Sequence, residues 1–525
     1  MKVLNILLNK IKNDKSQLFL LFSLIIFMLL FATGFVSDDF SEISNIKEKK
    51  NDFQYLPFNT YLNIPILYYT HYIFYYFVSI DNYILISLIK FFYTILSFYM
   101  VSKFFSIFTN YYNSFLISFL FIFWPTHDST VYFFLAQYLM LTVAFQLYAY
   151  YLLTKNFFKT SIIFSLLGSF ISYGSTPIAL GLFALFIFNN SFKKSLYIII
   201  PNIIYIIYYI FISKIFLISS ISRIPNSFDF LSLIKNYILQ IVTLLDVNIG
   251  ISFLIKLFNS ILENNLFTLT ISIATSILLI FIKKRNSLNF NKFQFDSKLS
   301  IAFILIIFIS LFMFATTGGY YQVIFNLGNR VSIYSSLLFS YLFVYIIQNK
   351  KINFFAILFA MIIIFGISNH WKNIQFNQNN IIKNISLNQK LKNYSNNNIL
   401  FITGNEYSNF GKFSHIEFFS ASHVAESIFS INNLDHINVK TLNKSFTFDG
   451  KYLKDDKFAN RKFLVNNEIM VYDSNTDTIT LINNNKIVDY IKNLEQKNRH
   501  WIQLLDNQFI NEMVFKYLPN LKYLF

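Results

Sequence analysis

Long apolar runs recur along this chain and constrain its fold more than any other feature. The first runs from residue 18 to residue 36, and comparable runs follow as far as residue 367. A helix needs about 20 mainly apolar residues to cross the ~30 Å hydrocarbon core of a bilayer. Hydrophobic residues make up 55% of the chain and charged residues 13%, which excludes a string of ordinary soluble domains. The sequence therefore predicts a polytopic, all-α membrane protein.

About eleven transmembrane helices are predicted. They cover residues 18–36, 83–105, 114–124, 131–153, 161–173, 177–188, 195–217, 266–282, 299–315, 331–347 and 354–367. The segment 161–188 is interpreted as a hairpin of two short spans, because a single crossing would put the lysine clusters that follow on the wrong side.

The chain changes composition after residue 367, where asparagine and lysine replace the apolar runs. We interpret residues 1–368 as the membrane domain, with a first outer loop at 37–82, and residues 369–398 as a linker or helical stalk. Residues 399–525 are predicted to form a small soluble α+β domain. ILFITGN reads as a strand that ends in a turn, and EIMVYDSNTDTITLI reads as a hairpin with alternating apolar residues.

Basic residues predict the orientation, because short cytoplasmic loops are enriched in lysine and arginine. A cytoplasmic N-terminus puts all the clusters inside, namely Lys103, Lys155 with Lys159, Lys193 with Lys194, residues 283–285, and Lys350 with Lys351. The soluble domain is then extracytoplasmic, and we expect the inner membrane of a bacterium. Topology and anionic membrane lipids explain the net charge of +17, so a nucleic-acid partner is not expected. The chain has no cysteine, which excludes thiolate chemistry.

Two acidic clusters fall on the predicted outer face. Asp38 and Asp39 end the first apolar run in FVSDDF, and His127 and Asp128 follow a short span in WPTHDST. Such an arrangement suits a site in which one carboxylate deprotonates a hydroxyl and another orients the substrate or a cation. No cofactor is required by the sequence, although a divalent cation (Mg²⁺ or Mn²⁺) at Asp39 and Asp128 is left open. Arg330, in GNRVSIY at the outer end of a span, has the planar fork that matches phosphate.

The chain resembles the GT-C glycosyltransferases in the order of these features. An acidic pair, an interfacial helix with Pro65, a span, a basic turn, a short span ending in Pro125 and then Asp128 are arranged as in the protein mannosyltransferases and the aminoarabinose transferases of lipid A. The resemblance covers residues 18–217 and the stretch around residue 330. It departs from the family in the turn SYGSTP, which lacks the family's lysine, and in Asn-Ile-Pro where His-Pro-Pro is common.

The resemblance implies a GT-C-like fold and an inverting transfer of a hexose or pentose from a polyprenyl-phosphate carrier. The acceptor would be an envelope glycan, a lipid or a protein at the extracytoplasmic face. Asp38 or Asp39 would be the general base. His127 and Asp128 would form a second acidic site for the acceptor or a metal, and Arg330 would bind the lipid phosphate.

Two other functions remain open from the sequence. An O-antigen polymerase or ligase also uses polyprenyl-linked glycans, but it usually depends on a large loop between late spans. A flippase for lipid-linked sugars should carry charges inside its helices, and Lys90 is the conspicuous charge of that kind. In the tail, the spacing of His415, Glu417, His423 and Glu426 matches no zincin pattern, and we interpret them as a polar helical face.

Overall fold

The structure is a computed structural model that describes residues 14–48, 64–75, 77–78, 82–215, 229–285, 293–317, 321–348, 353–394, 398–455, 461–494 and 516. These residues are mostly helical, with a small strand region after the helices. The α-helices of ten or more residues are Asp14–Leu30, Asp38–Glu48, Tyr83–Phe105, Tyr111–Ile122, Gln137–Thr154, Phe158–Ile171, Ser175–Phe188, Phe192–Ile215, Phe230–Ile249, Ile251–Leu262, Leu266–Arg285, Ser297–Thr317, Ile333–Gln348, Asn353–Leu387, Ser422–Ile431 and Asn484–Asn493.

Seven helical segments in the described part of the chain are long and apolar enough to cross a membrane. They are Tyr83–Phe105, Phe192–Ile212, Phe230–Leu262, Leu266–Lys283, Ser297–Thr316, Leu327–Gln348 and Asn353–Leu387. Six coincide with predicted spans. The other five predicted spans correspond to helices that are shorter or less apolar, so the structure supports a multi-pass membrane protein without confirming eleven spans.

The segment 161–188 is a hairpin of two helices, as predicted. Phe158 packs against Tyr197, with ring centroids 5.2 Å apart. Ser175 Oγ donates a hydrogen bond of 2.8 Å to Asn202 Oδ1, further along the helix Phe192–Ile215. The chain therefore runs in one direction up to the turn before Ser175, and then returns to the start of the helix Phe192–Ile215.

No span is predicted between residues 217 and 266, so the sequence assigns residues 218–265 to an outer loop; for residues 230–262 this prediction is wrong. Two helices occupy it, separated at Gly250. The first helix begins near Tyr321, whose hydroxyl donates to Asn236 Oδ1 at 3.4 Å, and it ends near Ser335, which donates to Asn248 Oδ1 at 3.1 Å. One end of this helix thus contacts the loop region that precedes the helix Ile333–Gln348, and the other end contacts the first turn of that helix. Apolar side chains of the helix, such as Leu231, Ile238 and Leu245, are exposed.

The strand region contains the strands predicted from ILFITGN and EIMVYDSNTDTITLI. The strands are β1 Leu400–Thr403, β2 Tyr407–Phe410, β3 Phe413–Glu417, β4 Val439–Thr441, β5 Phe446–Phe448, β6 Tyr452–Asp455, β7 Lys462–Leu464, β8 Glu468–Asp473 and β9 Thr478–Asn483. A four-stranded sheet has the order β4-β1-β8-β9, in which β4, β1 and β8 are parallel and β9 is antiparallel to β8. Two smaller antiparallel sheets are formed by β2–β3 and by β5–β6–β7.

The β2–β3 hairpin packs into the end of the helical bundle. Phe413 stacks on Phe325 with ring centroids 4.6 Å apart, and Asn259 Nδ2 donates to the Phe410 carbonyl at 3.0 Å. Gly411 has a φ of +64°, and a Cβ there would lie 2.5 Å from the Asn259 side chain, so the tip of the hairpin requires glycine. The helical bundle and this part of the strand region consequently share one hydrophobic core.

Candidate active site

Asp39 is buried at the start of the helix Asp38–Glu48, and both of its carboxylate oxygens accept hydrogen bonds from the protein. Its carboxylate accepts hydrogen bonds from Tyr75 Oη at 2.6 Å, from Val36 N at 3.0 Å and from Leu135 N at 3.2 Å. Burial raises the pKa of Asp39 to about 6, against the opposing effects of Lys90 and these donors. Of the two predicted base candidates, Asp39 is therefore the one with a positioning role, since it ties three separate segments together.

Lys90 is a buried cation next to this group. Its Nζ donates to the Tyr132 carbonyl at 2.6 Å and to the Gly34 carbonyl, and it acts electrostatically on Asp39. A buried ammonium is costly unless its protons are hydrogen-bonded, and two backbone carbonyls accept from Lys90. The charge that suggested a transport pathway thus holds the loop around Asp39 in place.

Asp38 has the opposite environment from its neighbour. Its side chain is 46% exposed, and Oδ1 lies 3.1 Å from Nε2 of His423, at the start of the helix Ser422–Ile431. The hydrogen bond to Asp38 raises the pKa of His423, although partial burial opposes the effect. The pair forms an accessible carboxylate–imidazole contact between the segment after the first helix and the strand region. Asp38 is therefore the member of the acidic pair that a substrate can reach.

Asp128 is the centre of a buried polar cluster. Lys256 Nζ lies 2.7 Å from Oδ1, Trp371 Nε1 donates to Oδ2 at 2.8 Å, and Asn329 Nδ2 also donates to Oδ1. Burial alone would raise the pKa of Asp128, but the charge of Lys256 and the hydrogen bonds from Lys256 and Trp371 lower it to about 2. Asp128 is consequently charged at neutral pH. Its partners come from distant parts of the chain, and Lys256 lies in the segment predicted to be a loop.

Two buried histidines border this cluster with unused ring nitrogens. His415 Nε2 is 3.4 Å from Asp128 Oδ2 without hydrogen-bond geometry, and the ring of His370 is 5.1 Å away between centroids. Among the described residues, neither ring nitrogen of His415 nor Nε2 of His370 has a hydrogen-bond partner. Buried polar atoms are nearly always paired, so such atoms mark a point at which water or a ligand can bind. Burial holds the pKa of His415 well below its usual range, which keeps the ring neutral.

The predicted partner of Asp128, His127, does not join the cluster. Its Nδ1 bonds with Thr130 Oγ1 at 2.7 Å, and its Nε2 bonds with the Phe121 carbonyl at 2.9 Å. Burial lowers the pKa of His127 to about 4. The ring is a neutral bridge inside its own loop, and the geometry gives it no open nitrogen for an acceptor.

Arg330 lies beside the cluster, on the turn Leu327–Ser332, and is partly buried. The residue before it, Asn329, binds both Asp128 and the Ser129 amide, the latter at 3.2 Å. Arg330 thus directly follows a residue that contacts Asp128, and its role in phosphate binding stays a prediction.

The ligand geometry does not fit a metal at Asp39 and Asp128. Both carboxylates are already bound by protein donors, and Lys256 occupies the position beside Asp128 that a cation would need. No group of three or more His, Cys, Asp or Glu side chains that could hold a metal occurs among the described residues. We therefore assign no step to a cation.

The tail histidines are the main site residues that sequence analysis missed. His415 and Glu417 lie on β3 rather than on a helical face, and His415 reaches Asp128. His423 is on a helix, as predicted, but it faces Asp38.

Comparison with protein-family models, curated proteins and solved structures found no match for this chain.

Proposed function

We propose that this protein is a membrane glycosyltransferase that moves a sugar from a polyprenyl-phosphate carrier to a hydroxyl group of an envelope glycan, lipid or protein. One observation carries the proposal. The two acidic positions that the resemblance assigns to the reaction, Asp38 and Asp128, lie beneath the same strand region, and each is contacted by one of its histidines, His423 and His415. Two acidic residues that are 90 positions apart in the sequence are thus contacted by the same strand region.

In this proposal Asp38 is the general base. It takes the proton of the acceptor hydroxyl while the acceptor oxygen forms a bond to the anomeric carbon of the sugar. The bond from that carbon to the phosphate oxygen breaks, and the lipid phosphate leaves with the electron pair. Asp39 and Lys90 keep the base in position. A single displacement without an enzyme nucleophile predicts inversion at the anomeric carbon.

The phosphate would bind Arg330, whose guanidinium fork matches two phosphate oxygens. An apolar cavity of about 340 Å³ supports a lipid carrier, because it is lined by Pro125, three residues before Asp128, and by Phe253, Phe343 and other apolar side chains of several helices. A lipid tail could lie there while its head group remains near the polar cluster.

We further propose that the strand region is extracytoplasmic and that the protein lies in the inner membrane of a bacterium. The support is the distribution of lysines at the opposite end of the bundle. There, Lys194 Nζ donates to Asn156 at 2.9 Å and Lys298 Nζ lies 3.3 Å from Asn189, so these basic residues gather around neighbouring turns.

The test is transfer of radiolabelled sugar from a panel of synthetic polyprenyl-phosphate sugars by the purified protein in nanodiscs. We expect Asp38→Asn to lower turnover by about 100- to 10,000-fold, the usual contribution of a general base. Arg330→Ala should mainly raise the KM for the carrier. Glu426→Gln, on the same helix as His423 but paired with Lys440, is the matched control and should retain activity.

Transfer at the wild-type rate by Asp38→Asn would refute its assignment as the base. If the wild type transfers sugar from no donor yet binds the carrier, the flippase function would be favoured instead.

A further inference from the structure

The strand region contains a polar cavity away from the cluster around Asp128. Its volume is about 200 Å³, and it lies between the ends of β1 and β8 and the helix Asn484–Asn493. That volume equals roughly seven water molecules at liquid density. It is large enough for one sugar residue.

The cavity occupies the position at which open parallel sheets bind ligands. After β1, the chain passes through the helix Ser422–Ile431 and returns as β4 on one side of β1, while β8 pairs with the other side. The chain thus leaves β1 toward β4 and leaves β8 in the opposite direction, toward β9, which opens a crevice beyond the carboxyl ends of β1 and β8. Ligands of such sheets bind in this crevice. Here it is lined by the residues that end or follow these two strands.

Glycine at position 404 lets the walls of the crevice come together. Gly404 has a φ of +78°, and a Cβ there would lie 2.5 Å from Asn475 Nδ2 and 3.0 Å from Asp473 Oδ1. The next residue, Asn405, donates from Nδ2 to Ser474 Oγ at 3.1 Å. Backbone and side chains of the two loops are therefore held at a fixed separation, and the cavity is preformed.

The lining has the chemistry that recognises neutral sugar hydroxyls. Glu406 and Asp473 supply carboxylate acceptors, Asn405 and Asn493 supply amides that both donate and accept, and Tyr490 supplies a hydroxyl group and a ring face. A hydroxyl group needs donors and acceptors together, and this lining offers both. Among the residues that the structure describes, two acids and no basic residue line the cavity, which disfavours phosphate and carboxylate ligands.

The cavity is connected to the acidic pair through one backbone hydrogen bond and one contact between aromatic rings. Phe418 N donates to the Glu406 carbonyl at 2.8 Å, and the ring of Phe418 packs against that of Phe40 with centroids 6.0 Å apart. Phe40 follows Asp38 and Asp39 on their helix. A sugar held in the cavity is thus anchored to the element that carries the exposed carboxylate.

We propose that this cavity binds one neutral sugar residue of the acceptor glycan. That the sugar belongs to the acceptor depends on the proposed glycosyltransferase function, whereas the binding itself does not. The site would hold the acceptor chain while a different part of it is presented to Asp38.

The test is binding of methyl glycosides of neutral hexoses, N-acetylhexosamines and deoxyhexoses to the full chain in nanodiscs, followed by saturation-transfer NMR. Glucose 1-phosphate serves as the anionic probe. We expect saturable binding of at least one neutral glycoside and none of glucose 1-phosphate. Asn493→Ala and Tyr490→Phe should each weaken binding at least fivefold. The control is Lys492→Ala, since Lys492 is exposed on the same helix and does not line the cavity.

Absence of saturable binding by every neutral glycoside, or equal binding by wild type, Asn493→Ala and Tyr490→Phe, would overturn this inference. The proposed function is tested separately, because Asp38→Asn should lose transfer and keep binding. Binding without transfer by the wild type would leave the sugar site supported and overturn the glycosyltransferase proposal.

Discussion

The ion pair between Lys256 and Asp128 allows a quantitative test of the structure. Both side chains are almost wholly buried, at 0% and 3% exposure, and their charged atoms are 2.7 Å apart. Removing one partner of such a pair leaves an uncompensated buried charge, which typically costs about 3–5 kcal/mol. We examine the variants Lys256→Met and Asp128→Asn, which preserve side-chain volume approximately.

The remaining contacts place both variants at the lower end of that range. In Lys256→Met, the carboxylate of Asp128 keeps the donors on Trp371 and Asn329. In Asp128→Asn, the ammonium of Lys256 keeps the Ile324 carbonyl at 2.8 Å. We expect each single variant to lose about 3 kcal/mol of unfolding free energy. The double variant removes both charges and should lose about 3–4 kcal/mol rather than the additive ~6 kcal/mol, a coupling of about 2–3 kcal/mol.

The assay is equilibrium unfolding in mixed detergent micelles, followed by tryptophan fluorescence, because Trp371 donates to Asp128 and stacks on Tyr132. The same cycle on Lys440 and Glu426 is the control. That pair is partly exposed, at 27% and 43%, and should show a coupling of less than about 1 kcal/mol. Additive losses at Lys256 and Asp128 would refute the buried pair described here.

Three further predictions follow from particular contacts. Tyr75→Phe removes the buried 2.6 Å hydrogen bond to Asp39 and should cost about 1.5–3 kcal/mol in the same unfolding assay, with wild-type stability counting against that bond. Gly366→Ala would place a Cβ 1.7 Å from the Ser260 carbonyl oxygen and should strongly lower the yield of folded protein, whereas Gly328→Ala meets only Val323, at 3.3 Å, and should be tolerated. The pKa of His423 is raised by its bond to Asp38, with help from Glu417 and Glu426, so protonated His423 stabilises the contact at low pH and this contribution is lost as the pH rises through the raised pKa. Hydrogen exchange in the helix Ser422–Ile431, corrected for intrinsic rates, should therefore accelerate as the pH rises above the ordinary histidine pKa in the wild type but not in His423→Gln.

Apolar run length predicted six of the seven candidate spans, because a helix in a bilayer needs an almost unbroken apolar sequence. It failed at the helix Phe230–Ile249, in which Asn236, Gln240 and Asn248 interrupt the apolar residues. These polar residues contact other helices or loops, and the exposed face is apolar. A search for helical periodicity in that segment, rather than for run length, would have found it.

The acidic residues of the site could be selected from the sequence, but their separate roles could not. Asp38 and Asp39 are neighbours at the start of a helix, so their side chains point in directions about 100° apart, and one reaches Tyr75 while the other reaches His423. Which of the two side chains faces inward depends on tertiary packing, which the local sequence does not predict. His423 is 385 residues from Asp38 in the sequence, and the residues around either one do not predict their contact.

The β2–β3 hairpin has a consequence for the order in which the chain is assembled. Phe325 and Phe413 are 88 residues apart, so at ~5–20 residues per second the ribosome needs roughly 4–18 s between them. During that interval the aromatic side chains that receive the hairpin, including Phe325, have no cover from Phe413. A chain that stalls before β2 therefore presents an open apolar surface, and a complete chain closes it.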